Sequence, residues 1–181
     1  DYYKPNAAND YARGFILLSY MMTPVTFSNL SGLMFGQELK DFLHQYSRIA
    51  AWWAHAEGLP SEHNSITLDD TLRDARGLPV AKVSYRWLDN DVKLAAAARD
   101  KAAEMMAASG AKKVRIGLNY GAHAMGSCRM GSDASTSVVN EFGQTHDVKN
   151  LFICDTSVFV TGSGVNPTLT AMAIADRAAG H

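Results

Sequence analysis

The residues best suited to chemistry lie in two glycine-rich stretches in the last third of this 181-residue chain. The first runs Gly121-Ala-His-Ala-Met-Gly-Ser-Cys-Arg-Met-Gly131, where small residues bracket an imidazole and a guanidinium. Backbone of that kind can pass close to a flat ligand. Imidazole titrates near neutrality, so His123 can accept a proton and later release it. Spacing alone leaves a second reading open, that of a loop histidine bonded to backbone.

The second stretch, Asp155 to Thr170, contains Gly162-Ser-Gly164 and then Asn166-Pro-Thr-Leu-Thr170. The glycine pair is not a GxGxxG fingerprint. Asn166 is a natural N-cap and Pro167 suits a first helical position, which predicts a helix over 167–179. The free N–H groups of Thr168 to Thr170 and the helix dipole then place about half a positive charge at that end. Such an end favours an anionic group such as phosphate. A capped helix with a glycine-rich lead-in is the alternative.

The remaining histidines are less informative. His44, His55, His63 and His146 lack comparable surroundings and read as structural or surface residues, and His181 carries no functional reading. No histidine pair has the close helical spacing of a zinc site, so no metal is expected. Two cysteines, Cys128 and Cys154, cannot hold a structural zinc or an iron–sulfur cluster alone, although one disulfide is conceivable. Cys154, within Leu151-Phe-Ile-Cys154, reads as a small buried thiol.

These residues need a scaffold, and the rest of the chain predicts one. After a turn-prone opening (Lys4-Pro5-Asn6, Asn9-Asp10), residues 14–20 read as a strand. Residues 21–27 and 48–55 are apolar and fit strand or helix. Leu39, Phe42, Leu43 and Tyr46 recur with helical spacing over 37–46. Ala81, Val83, Tyr85 and Trp87 alternate with polar residues, which predicts a strand with one buried face, entered through the Gly77-Leu-Pro79 turn. Asp89 or Asn90 can cap a helix running to about Ser109, with Leu94, Ala97, Ala98, Lys101 and Met105 along one stripe and Gly110 as its stop. After Gly117 the composition shifts to dense Gly, Ser, Thr and Asn. There, residues 150–155 read as a short buried strand ahead of the C-terminal helix.

Composition excludes several classes. A hydrophobic share of 47% with 19% charged residues is that of a globular protein, neither disordered nor fibrous. The net charge of −1 gives nucleic acid or an anionic membrane no concentrated positive surface to meet. The longest strongly apolar run, 15–22, falls far short of the roughly 20 residues a membrane helix needs. The chain opens on Asp1 and shows no signal-peptide pattern, so a segment of a longer protein is expected. The compartment stays open between cytoplasm and periplasm.

Taken in order, five motifs are specific: His123-x-x-Gly-Ser-Cys-Arg-Met-Gly131, Ser137-Val-Val139, Asn150-Leu-Phe-Ile-Cys-Asp155, Ser157-Val-Phe and Asn166-Pro-Thr-Leu-Thr170. Together they resemble the C-terminal signature of the glucose–methanol–choline (GMC) oxidoreductases, densely from about 121 to 179 and more loosely before 117. The resemblance implies an α+β chain. Residues 1–116 would form a substrate-binding lobe with an antiparallel sheet. Residues 117–181 would supply the catalytic loop and complete an FAD-binding, Rossmann-like α/β domain that is mostly missing from this chain. It also implies FAD-dependent oxidation of an alcohol, with hydride passing to flavin N5. His123 falls at the family's base position, and Asn166 falls at a partner position that the family fills with histidine or asparagine.

Cofactor contacts are implied at Asp155, Thr156, Val165, Asn166, Pro167 and Thr168, and Arg129 would fix the His123 loop through an ion pair. No dinucleotide fingerprint occurs here, so an upstream segment of the same protein is expected to hold the adenosine end of FAD. The substrate expected is a sugar or polyol alcohol, a guess helped by Trp52, Trp53, Tyr85 and Trp87, any of which could stack on a sugar ring. An electron-accepting subunit is a further candidate partner. Two rivals stand beside this reading: a flavin-containing hydroxynitrile lyase, and a non-catalytic carbohydrate-binding module.

Overall fold

The computed structural model describes residues 4, 6–30, 35–117, 119 and 121–181. Pro5 of the turn-prone opening lies outside them. Small antiparallel sheets and helices make up an α+β chain. The chain gathers into two compact units, residues 1–57 with 92–122 and residues 58–91 with 123–181. The sequence reading divides the chain into domains at 116/117; the compact units cut it elsewhere, and 58–91 groups with the C-terminal segment.

In the first unit, β1 (Phe15–Tyr20) pairs antiparallel with β2 (Ala51–Ala56), with Phe15 opposite Ala56 and Tyr20 opposite Ala51. Alternation turns Phe15 and Leu17 to one face and Leu18 and Tyr20 to the other. Phe15 packs with the fully buried Leu94 and Ala98, and Tyr11, Leu17 and Ala97 ring this core. Leu94 and Ala98 are one helical turn apart on α3 (Asp89–Ala108), on the stripe the sequence marks. The helix stops where expected. Gly110 adopts φ +90°, its N–H donates to the Ala107 carbonyl (3.0 Å), and the Ala111 N–H donates to the Met106 carbonyl (3.1 Å). This double bond pattern is a Schellman motif.

The start of α3 differs from expectation. The Leu88 N–H donates to Asp91 Oδ2 (3.0 Å) and the Leu59 N–H donates to Asp91 Oδ1 (3.3 Å). A carboxylate on the third helical residue, reaching back, therefore secures the first turn, and Asp89 and Asn90 are themselves the first two helical residues. Of the two ambiguous apolar segments, 21–27 contributes to a helix, α1 (Pro24–Leu30), and 48–55 contributes to β2. The helical pattern over 37–46 gives α2 (Gly36–Leu43) and a separate 3-10 turn at Tyr46–Arg48. Phe27 stacks on Phe42 (centroids 5.2 Å apart), the Tyr46 ring meets Phe27 edge-on, and the Tyr46 hydroxyl donates to the Met22 carbonyl.

The second unit opens with a hairpin of β3 (Ser65–Arg73) and β4 (Pro79–Ser84). β4 begins two residues earlier than the sequence suggests and ends at Ser84. Its partner β3 is not anticipated by the sequence reading. Ile66 faces Val83 and Leu68 faces Ala81, so the pair does have one apolar face. That face is not buried: Leu68 and Val83 are each 68% exposed. Asp69 organises a bulge by accepting from the N–H groups of Thr71 (2.9 Å) and Leu72 (2.8 Å) and from the Thr71 hydroxyl. These bonds, the Leu72 N–H foremost, hold its carboxyl below the usual range. Asp74 closes the turn by accepting from Arg76 and Leu78, with Gly77 at φ +80°.

The remainder of this unit is loops fastened by backbone bonds, followed by α4 (Thr168–Ala179). Residues 150–155 do not form the buried strand expected. Their polar groups go instead to the adjoining turn: the Leu151 N–H to Val148, the Ile153 N–H to Gly143, and the Leu151 carbonyl to the Thr145 N–H. Only a single bridge, Gln144 to Phe152, remains there. Leu151, Phe152 and Cys154 are exposed as a result, so Cys154 is a free surface thiol, and Cys128 is also free.

Candidate active site

The loop carrying His123 is built by lacing its backbone to residues 156–158. The N–H groups of Gly126, Cys128 and Met130 donate to the carbonyls of Thr156, Ser157 and Val158 at 3.2, 2.9 and 2.8 Å. Val158, fully buried, anchors the far side. Thr156 and Val158 bound a 3-10 turn that Asp155 caps, its Oδ1 accepting from the Ser157 N–H at 2.8 Å. Gly126 sits at φ +86°, and a Cβ there would lie 3.2 Å from the Phe159 carbonyl oxygen, so this close crossing needs glycine. Gly162 allows a second approach, since a Cβ on it would lie 3.2 Å from Met125 Sδ.

This lacing brings two of the expected residues together. Asn166 Nδ2 lies 3.1 Å from His123 Nε2, although 43 positions separate them in the chain. With the amide nitrogen as donor, Nε2 accepts and the ring proton sits on Nδ1. With the amide turned over, its oxygen accepts from a protonated Nε2. The pair can thus serve both protonation states of the imidazole. Both residues are exposed, and His123 adopts φ +57°, a left-handed conformation uncommon for a residue with a Cβ.

The residues expected at a cofactor divide into two groups. Val165, Asn166, Pro167 and Thr168 lie at the start of α4. That start has no side-chain cap: Pro167 occupies the capping position, one residue later than expected, and its carbonyl accepts from the Ala171 N–H. Asn166 is therefore not the N-cap, and its amide faces His123. Uncapped N–H groups on the exposed residues Thr168, Leu169 and Thr170 fit the carbonyl edge of a flavin. Asp155 and Thr156 are engaged with the chain itself. The Ser157 hydroxyl, then its N–H, hold the Asp155 carboxyl below the usual range. The Thr156 hydroxyl donates to the Ala124 carbonyl at 3.0 Å.

Other residues take structural places. Arg129 fixes its loop as expected, but by a hydrogen bond from Nε to the Thr136 carbonyl (2.8 Å) and not by an ion pair. His146 Nε2 lies 2.9 Å from Ser137 Oγ, which itself donates to the Asp133 carbonyl at 2.6 Å. Having given its one proton to that carbonyl, Ser137 accepts from His146 and is not activated by it. His44 ends α2, His63 sits in an exposed turn, and His181 stacks on Phe142. Trp53 lies against Tyr20 (4.5 Å between centroids) and beside His55, and Tyr85 meets Trp87 edge-on at 6.2 Å. Sequence reasoning missed the Thr156 hydroxyl contact and the Gly162–Met125 approach. The Gly162-Ser-Gly164 pair is the one available signal for the latter. Among the described residues no group of three or more His, Cys, Asp or Glu could hold a metal ion, and no helix is long and apolar enough to cross a membrane.

A family model described as GMC oxidoreductase matches residues 60–175, more than half of the chain. A 2-methyl-1,2-propanediol dehydrogenase from Mycolicibacterium austroafricanum is 43% identical over 126 residues, covering 67% of this chain and 23% of that protein. A fructose dehydrogenase large subunit from Gluconobacter japonicus is 32% identical over 129 residues, covering 70% and 24%. A gluconate 2-dehydrogenase flavoprotein from Pantoea cypripedii is 31% identical over 127 residues, covering 64% and 20%. The chain therefore spans about a quarter of the length of these relatives. GMC oxidoreductases are flavoproteins, typically binding FAD. With the family model matched over most of the chain, and with dehydrogenases among its relatives, the chain belongs to the GMC oxidoreductase family.

Proposed function

We propose that the protein containing this chain oxidises an alcohol group of a polyol or sugar, with His123 as the base and Asn166 as the residue that orients the substrate. One observation carries this reading, the 3.1 Å approach of His123 Nε2 to Asn166 Nδ2. When bound, FAD supplies the acceptor for the hydride that leaves the carbinol carbon. His123 takes the hydroxyl proton at Nε2, which leaves the substrate as its carbonyl product. Asn166 cannot act as a base in this pH range. Its amide N–H holds the substrate oxygen as negative charge develops there. The uncapped start of α4, with Val165, Pro167 and Thr168 around it, would hold the flavin's N1–C2=O edge and favour negative charge on it.

In this reading residues 1–116 line the substrate and residues 117–181 provide the catalytic loop and part of the FAD-binding domain. An upstream segment of the same protein holds the rest of the cofactor. The relatives named for propanediol, fructose and gluconate favour polyol and sugar substrates. The name "large subunit" favours a further subunit as partner, to which we assign the electron-accepting role.

The test uses the full-length protein without oxygen. The flavin spectrum is followed on adding 2-methyl-1,2-propanediol, fructose, gluconate and short aliphatic alcohols, for wild type beside His123→Ala. Bleaching of wild type by one of these, slowed about 10²- to 10⁴-fold in the variant, is expected. Flavin that binds and never bleaches would favour a lyase. Sugar binding without flavin, indifferent to His123→Ala, would favour a carbohydrate-binding module.

A further inference from the structure

We propose that Thr156 is a positioning residue for His123, its hydroxyl holding the backbone turn from which the imidazole projects. The inference rests on the reading of His123 as the base. The family resemblance places Thr156 among cofactor contacts, but the geometry gives its hydroxyl different work. Oγ1 donates to the Ala124 carbonyl at 3.0 Å, and the Thr156 carbonyl accepts from the Gly126 N–H at 3.2 Å. One residue thus grips two successive peptide units, 124–125 and 125–126, beginning one unit past His123.

The grip matters because of where His123 sits. At φ +57° its backbone is in a region that a residue with a Cβ occupies only when its surroundings hold it there. Gly126, at φ +86°, completes the reversal three residues later. Thr156 is in turn held from behind, since Asp155 caps its 3-10 turn through the Ser157 N–H at 2.8 Å. A β-branched side chain has few χ1 states, so a threonine hydroxyl is a stiffer tether than a serine hydroxyl. Without it the Ala124 carbonyl can turn to water at little cost to folding, while Nε2 loses its fixed place beside Asn166. Thr156 then acts on the reaction through His123, without touching substrate or cofactor.

The experiment compares full-length wild type, Thr156→Val, Thr156→Ser and His123→Asn, using the alcohol of the panel that bleaches wild type. Flavin per protein chain, the limiting rate of anaerobic flavin reduction and the half-saturating alcohol concentration are measured for each. Thr156→Val keeps the shape of the side chain and removes the bond. It is expected to retain its flavin, to reduce about 10- to 100-fold more slowly, and to change the half-saturating concentration by less than about threefold. Thr156→Ser restores the bond and is expected to reduce within about threefold of wild type while staying folded, which controls for a merely structural loss.

Loss of flavin from Thr156→Val would make the hydroxyl a cofactor contact and overturn the proposal. A Thr156→Val rate equal to wild type, with His123→Asn inactive, would overturn it and leave the base assignment standing. A His123→Asn rate equal to wild type, or no bleaching by any alcohol of the panel, would remove the base assignment and the positioning role together.

Discussion

If His123 is the base, the bond it makes to Asn166 must be broken on every turnover, and this sets the effect of changing Asn166. Nε2 has one lone pair, and with Nδ2 donating at 3.1 Å that lone pair is occupied. A substrate hydroxyl must displace the amide before Nε2 can take its proton, and the amide N–H then turns to the substrate oxygen. Asn166→Ala loses a bond to an oxygen gaining negative charge, a contribution of about 1.5–3 kcal/mol. It also no longer has to break the resting bond, which offsets about 0.5–1.5 kcal/mol. The difference centres on about 1–1.5 kcal/mol, or roughly a 5- to 12-fold slower reduction.

Asn166→Asp separates this account from a general loss of polarity. A carboxylate can only accept, so it holds a proton on Nε2, the atom that must be bare to act as a base. Its loss should therefore exceed that of Asn166→Ala, although aspartate is nearer asparagine in size and shape. Combining His123→Ala with Asn166→Ala completes a cycle. The second change should cost less in the absence of the imidazole, because the substrate oxygen then gains less charge for the amide to hold. The assay is the anaerobic reduction rate of the full-length flavoprotein for all five proteins. An Asn166→Asp rate equal to or above that of Asn166→Ala, or strictly additive effects, would refute the reasoning.

Two further outcomes follow from the loops that hold the site. Gly143→Ala and Gly77→Ala both place a Cβ at positive φ (+75° and +80°), a cost of about 1–2 kcal/mol each, but only at Gly143 would it also meet a wall, the Ile153 carbonyl oxygen at 2.6 Å. Gly143→Ala should cost the full-length protein about 1–3 kcal/mol more stability than Gly77→Ala, read as a lower urea midpoint, and equal midpoints would contradict the close approach. The Asp155 carboxyl is depressed by the Ser157 hydroxyl and N–H, so its contribution is present above the ordinary carboxylate value and is lost as pH falls through the depressed one. The gap in melting temperature between wild type and Asp155→Asn should be constant near neutrality and close below the usual carboxylate range; a gap that widens in acid would reverse the sign of that contribution.

The elements most legible in the sequence were those whose signals are local. The α3 stripe, its stop at Gly110 and the helix after Pro167 each depend on residues within one or two turns of one another. β3 escaped because Asp69 and Asp70 interrupt its apolar pattern, and their place in a bulge depends on pairing with β4. The opposite error occurred at 150–155, where an apolar run reads as a strand but its backbone partners lie in the 143–148 turn. Alternation in β4 correctly marked a strand and misjudged its burial. A period of two says which residues share a face and does not say that anything covers it. Ile66, Leu68, Val83 and Tyr85 are all more than half exposed in a chain that spans about a quarter of its relatives' length.

The His123–Asn166 approach had no local signal either, since 43 residues separate its members. The family resemblance named both positions, and each lies in or beside a glycine-rich stretch. At Gly126 a Cβ would crowd the backbone oxygen of Phe159, and at Gly162 it would press on the Met125 side chain, which would have to give slightly. Thr156 shows where such inference stops. A resemblance can assign it a position in the motif, but the work of a hydroxyl is decided by the acceptor within reach. Here that acceptor is the Ala124 carbonyl, 32 residues earlier in the chain. Asp155, which the resemblance places at the cofactor, accepts from the Ser157 N–H in this structure. On the proposed reading Thr156 acts through His123, so a substitution there should be read by flavin content and reduction rate together.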